Sequence, residues 1–176
     1  MKKATLRITY TAALLALLIV LQWATRAAGQ LVTGSCVNCV LAVAALVSGW
    51  QGGLAVAVVS PFVAFLLGIG PKNIAVVPAI AVGNAVLVML LWLFLHRRIT
   101  VLNGIFGVLA AAAGKFLVLY LLVVQLLCRL LTLPEKQAAM FSSMFSWPQL
   151  VTALIGAAAA MALLPLVLRA RTHRNG

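Results

Sequence analysis

The amino-acid sequence predicts an all-α integral membrane protein, a single domain over residues 1–176 with six transmembrane helices and both termini in the cytoplasm. Three observations predict it. Apolar residues fill 65% of the positions and charged residues 8%, with a mean hydropathy of +1.21, a balance that a water-soluble domain of this length lacks the polar surface to cover. The apolar residues fall into six runs, each near the ~20 residues that cross a hydrocarbon core of roughly 30 Å. The Lys and Arg residues lie singly or in pairs between those runs, so the formal charge of +12 reads as a topology signal and not as a nucleic-acid surface.

The spans are placed at 8–25, 35–50, 53–70, 75–95, 105–131 and 148–168. The first follows Lys2, Lys3 and Arg7 and ends at Trp23 and Arg26. Ala27-Ala28-Gly29 behind it is small enough for a signal-peptidase site, so a cleaved signal peptide stands as the alternative to a first span. Gln51-Gly52-Gly53 separates the second run from the third, and Pro71-Lys72-Asn73 forms the turn before the fourth. His96-Arg97-Arg98 closes the fourth run, and the longest loop, 132–147, precedes the sixth.

Positive residues near span ends are retained in the cytoplasm. With six spans, Lys2, Lys3, Arg7, Arg97, Arg98, Arg169, Arg171 and Arg174 fall on one side, against Arg26, Lys72, Arg129 and Lys136 on the other. The termini are therefore cytoplasmic and the protein is expected in a prokaryotic plasma membrane as a multi-pass chain. Trp23 and Trp147 then fall at outer span ends, and Trp50 and Trp92 near inner ones, as interfacial aromatic belts require.

The missing chemistry narrows the function. Glu135 is the one side-chain carboxylate, which weighs against proton-coupled transporters, since these place Asp or Glu in their spans. No Gly-rich phosphate loop is present, nor an H-E-x-x-H motif or a pair of carboxylates. The chain is expected not to be an enzyme, and any ATP is hydrolysed by a partner. Cys36 and Cys39 form a C-x-x-C with Cys128 on the same side, but no second pair completes a ligand set and His96 and His173 fall on the opposite side. They read as packing cysteines, and no metal or cofactor is expected.

Lys115, in Gly114-Lys115-Phe116, is the one charge left after the loops are assigned. Ten residues from Ile105, at 1.5 Å each, place it about 15 Å deep, near the midplane. An ammonium at that depth faces a wet cavity or a polar partner. One reading gives it a solute carboxylate, phosphate or carbonyl. The other makes it structural, bonded to backbone carbonyls at a broken helix or drawn to an interface. Asn84 reaches nearly the same depth from the opposite end of the fourth span, either as a second pocket residue or as interhelical glue. Asn38, after Thr33 and Ser35, gives the second span a polar outer end that cap chemistry explains equally well. Trp147 and Gln149 open the sixth span, where an aromatic ring and an amide can hold a solute, although the interfacial belt also accounts for Trp147. Pro61 marks a kink in the third span. Ala12 and Ala16 form a small-xxx-small pair on one face of the first.

The strings Val32-Thr33-Gly34, Phe65-Leu66-Leu67-Gly68-Ile69-Gly70-Pro71, Val77-Pro78-Ala79-Ile80-Ala81-Val82-Gly83-Asn84-Ala85 and Gly114-Lys115-Phe116 span most of the chain. With the six-span layout and the Ala12-x-x-x-Ala16 face, the chain resembles the substrate-binding S components of energy-coupling factor (ECF) transporters. It resembles the vitamin-specific branches less than a branch whose solute these strings do not name. The resemblance implies an ECF S-component-like bundle that captures a vitamin-like micronutrient from outside. It implies as partners a transmembrane coupling subunit and two ATPase subunits, with Ala12 and Ala16 facing the coupling subunit. By position it points to Asn73, Asn84, Lys115, Trp147 and Gln149 as the solute site. An autonomous small transporter or channel, or a membrane assembly protein that binds no solute, are the competing classes.

Overall fold

The structure, a computed structural model, describes residues 2–71, 73–98, 100–131 and 133–173, with side chains between Ala4 and Leu166 in those ranges. Lys72 and Arg174 lie outside the described residues, as do the side chains of Lys2, Lys3, Arg169, Arg171 and His173. Among the described residues the regular structure is entirely helical, and six helical segments are long and apolar enough to cross a membrane. The helices are α1 (Lys2–Thr25), α2 (Gln30–Val47), α3 (Gly49–Leu66), α4 (Val76–Leu95), α5 (Val101–Leu130), α6 (Glu135–Met144) and α7 (Trp147–His173).

Short connections join the spans, and local chemistry fixes each. A 3-10 turn, Arg26–Ala28, and Gly29 at φ +86° separate α1 from α2, while Thr33 Oγ1 donates to the Thr25 carbonyl at 2.8 Å across the corner. Asn73 Oδ1 accepts from the Ala75 amide at 3.0 Å and orders the approach to α4. Thr100 caps α5, accepting from the Asn103 amide at 3.2 Å.

The break between α2 and α3 falls at Ser48–Gly49, not at the predicted Gln51-Gly52-Gly53. Gly49 takes φ +75°, a left-handed conformation that costs any other residue about 1–2 kcal/mol. Gly53 lies inside α3 and serves packing: a Cβ there would meet Val88 Cγ1 at 2.7 Å and Ala45 Cα at 3.0 Å. The second span also begins earlier than expected, at Gln30 instead of residue 35.

α2 sits centrally, with α1, α3, α4 and α7 around it, and α5 closes the bundle against α4 and α7. Its interface with α7 is the most extensive, and small residues make it so. A Cβ on Gly156 would lie 2.5 Å from the Ser35 carbonyl oxygen and 2.7 Å from the Cys39 amide nitrogen, so the two backbones touch. The main core is correspondingly rich in alanine, with Ala44, Ala45, Ala57, Ala111, Ala112, Ala153 and Ala157 between Leu18, Leu41, Leu87 and Leu91. Where the driving force is dispersion and not water release, close backbone approach is what holds helices together.

A second cluster lies at the end of the bundle where α1 passes to α2, α3 to α4 and α5 to α6. There Phe141 and Phe145 pack on Val76, Ala79, Leu119 and Val123. α5 widens into π-helical turns over Tyr120–Leu127. Gln125 donates to Tyr120 Oη at 3.1 Å and Arg129 donates to Gln125 Oε1 at 2.6 Å, so the span's polar residues satisfy one another along the widened segment. The amphipathic α6 and the α5–α6 connection cover this end. At the other end Trp92 stacks on His96 with ring centroids 4.2 Å apart, and Trp50 lies 6.5 Å from Trp92.

Candidate functional site

A cavity of about 430 Å³ opens at the α6-covered end and descends between α1, α2, α3, α4, α5 and the start of α7. Lys115, Asn38 and Asn84 form its floor. Asn38 lies eight residues from the start of α2 and Asn84 eight from the start of α4, which puts both about 12 Å below the mouth. Lys115 reaches the same level from α5.

The three floor residues are joined. Lys115 Nζ donates to Asn38 Oδ1 at 2.5 Å and to Asn84 Oδ1 at 2.7 Å. All three are buried, at 3%, 1% and 2% exposure. Each amide is oriented in turn by its own NH₂ group. Asn38 Nδ2 donates to Thr152 Oγ1 at 3.3 Å, and Thr152 Oγ1 donates to the Gln149 carbonyl at 3.2 Å. Asn84 Nδ2 donates to the Ala57 carbonyl at 3.4 Å. Position 61 is where a helix would supply the N–H for that carbonyl, and Pro61 has none. The kinked helix thus offers an acceptor, and the acceptor turns Asn84 so that its oxygen faces Lys115.

An ammonium holds three donors, and two are engaged here. The third has no partner among the described residues, and Lys115 borders the cavity. The chain's one carboxylate side chain, Glu135, is exposed at the start of α6. Lys115 is therefore a buried amine held by neutral dipoles alone, a setting in which its charged form costs several kcal/mol relative to water and an incoming negative charge stabilises it.

The walls are mostly apolar, contributed by Phe65 and Ile69 of the α3 end, Val77 and Ile80 of α4, Leu119 of α5, and Phe145. Polar groups cluster toward the mouth. Gln149 and Gln30 both donate to the Met144 carbonyl, at 3.1 and 3.4 Å, and tie α2 to the α6–α7 corner. Gln22 Oε1 of α1 is buried and has no hydrogen-bond partner, and Gln22 borders the cavity. Arg26 stands at the mouth with its guanidinium 5.0 Å from the Trp23 ring centroid.

The structure brings Asn38, Asn84, Lys115 and Gln149 to one cavity. It places Trp147 and Asn73 elsewhere. Trp147 is 62% exposed and does not border the cavity, and Asn73 serves the turn before α4. Ala12 and Ala16 are exposed on the outer surface of α1. Cys36, Cys39 and Cys128 are free thiols. Sequence reasoning missed Thr152 and Gln22 and gave Pro61 no part in the site. Gln22 carried a usable signal, an amide inside an apolar run, whereas nothing in the α7 sequence distinguishes Thr152. No protein-family model, no curated protein and no solved structure matches this chain.

Proposed function

We propose that the chain is the membrane-embedded solute-binding subunit of an ATP-driven micronutrient importer of the ECF type, in a prokaryotic plasma membrane. The observation that carries this reading is Lys115: a buried cation at the floor of a metabolite-sized cavity, without an acidic partner and with a donor to spare. A purely structural lysine needs no such cavity above it. The charge asymmetry of the connections makes both termini cytoplasmic, so the cavity opens outward, where a scarce solute is captured. The chain carries no ATPase motif, which assigns energy coupling to other subunits. The exposed Ala12 and Ala16 leave a smooth strip on α1 against which a coupling subunit packs.

The test is affinity purification of the tagged full chain from native membranes in mild detergent, with proteomics of what accompanies it. Recovery of a transmembrane coupling subunit with ATPases is the expected result. Intact, monodisperse protein without either of them overturns the ECF assignment and favours an autonomous transporter.

A further inference from the structure

The floor and one wall of the cavity also define the chemistry of the solute. We infer that it is an organic monocarboxylate with an apolar body and an N–H or O–H donor about 7 Å from the acid group. This rests on the reading of the cavity as a solute site.

The charge comes first. Among the described residues, Lys115 at the floor and Arg26 at the mouth are the charged side chains that border the cavity, and no acidic side chain does. A cationic solute meets repulsion at both levels, and a neutral one leaves the buried ammonium without compensation. The charge available at the floor then distinguishes among anions. A phosphate group spreads its charge over several oxygens and is held by several N–H groups, as in backbone nests and arginine forks. This floor presents a single ammonium, with one N–H unengaged, and no second cation among the described residues at that level. One ammonium balances the single charge of a carboxylate, whereas a phosphate monoester brings up to about two.

The second contact is Gln22. Its Oε1 is buried and unpartnered, an acceptor whose desolvation is uncompensated until something donates to it. Gln22 lies three residues from the end of α1, whereas Asn38 lies eight from the start of α2. At 1.5 Å per residue, the acceptor is about 7 Å nearer the mouth than the floor. Between the two levels the walls are Phe65, Ile69, Val77, Ile80, Leu119 and Phe145, which fit an apolar body and no further charge. Arg26 above them draws the anion in and leaves the cavity's inner contacts to Lys115 and Gln22.

The experiment is extraction and mass-spectrometric identification of the compounds retained by full-length wild type, Lys115→Met and Gln22→Leu, each purified from native membranes and checked for a monodisperse profile. A carboxylic acid is expected on the wild type, about tenfold less on Lys115→Met and several-fold less on Gln22→Leu. The primary amide of that acid should fail to displace it. Should Lys115→Met not fold, Gln22→Leu and the amide competition still decide. A retained compound that is neutral, cationic or a phosphate ester without a carboxylate overturns the inference, as does equal retention by the variants. Folded wild type that carries nothing above the Lys115→Met level overturns it too. A neutral solute recovered together with coupling subunits sinks this inference and leaves the importer standing. A carboxylate recovered without them does the reverse.

Discussion

Asn84 occupies the hydrogen-bonding position that Pro61 vacates. Its Nδ2 donates to the Ala57 carbonyl at 3.4 Å, four residues before the proline on a neighbouring helix, and its Oδ1 accepts from Lys115 at 2.7 Å. A backbone defect in α3 thereby sets the orientation of a side chain at the cavity floor. Pro61→Ala returns an N–H to α3 that competes with Asn84 for the carbonyl. Thermal unfolding in detergent should show equal or higher stability, because a helix-interior proline is removed. Solute affinity should fall by about 1 kcal/mol, roughly fivefold, because the Asn84 amide is no longer fixed. Unchanged affinity would show that Asn84 is held by packing instead.

The Lys115–Asn84 contact should appear as a coupling energy in stability. Asn84→Leu removes one of the two acceptors of a buried ammonium and should cost about 2–3 kcal/mol, and Lys115→Met should cost less because the charge leaves with it. The double variant should then be more stable than the sum of the single losses by about 1 kcal/mol or more. The check is a double-mutant cycle from unfolding of the purified protein without added solute. Strict additivity would dissolve the link drawn between these two side chains.

Hydropathy and charge made the six-helix layout legible, because lipid demands long apolar runs and cations mark where they stop. The α2–α3 break was not legible. Gly49, Gly52 and Gly53 lie within five residues, and sequence does not say which is used for its backbone freedom and which for its missing Cβ. Asn38 is ambiguous in the sequence for a related reason: Thr33, Ser35 and Asn38 fit cap chemistry as well as a site, yet α2 begins at Gln30 and leaves Asn38 two turns inside. Lys115 and Asn84 were visible by depth alone, since both are polar residues at countable distances from span ends. The partners that orient the two asparagines, Thr152 for Asn38 and the Ala57 carbonyl for Asn84, come from contacts 114 and 27 residues apart in the chain, which no local period records.

The α2–α7 interface should be the least tolerant surface in the bundle. A Cβ on Gly156 meets backbone atoms of Ser35 and Cys39, which cannot rotate away as a side chain does. Gly156→Ala should therefore destabilise the protein by about 1–3 kcal/mol and, by pushing α7 outward, lengthen the Asn38–Thr152 contact and weaken solute retention. Gly104→Ala is the control. Its Cβ would meet the flexible end of Met161 at 3.1 Å, which can move, so its cost should stay within about 1 kcal/mol. The comparison is read from thermal unfolding of both variants in the same detergent, and equal losses would remove the distinction between backbone and side-chain contact.

Ala12 and Ala16 separate docking from binding. Both are exposed on α1, away from the cavity at the end of that helix, and α1 is the least buried of the six candidate spans. Replacing both with leucine adds bulk to the outer face and should leave stability within about 0.5 kcal/mol of wild type, as surface substitutions do. Solute retention should be unchanged, because no cavity contact is touched. Recovery of the coupling subunit should fall about tenfold or more, since a small-residue face allows a closeness of approach that leucine forbids. The measurement is quantitative proteomics of the tagged double variant beside wild type, with bound solute determined in the same samples. If coupling subunits are recovered equally from both, α1 does not dock through this strip. If solute is lost as well, the substitutions have reached the cavity through the packing of α1 on α2 and α3, and the two functions are not separable along that helix.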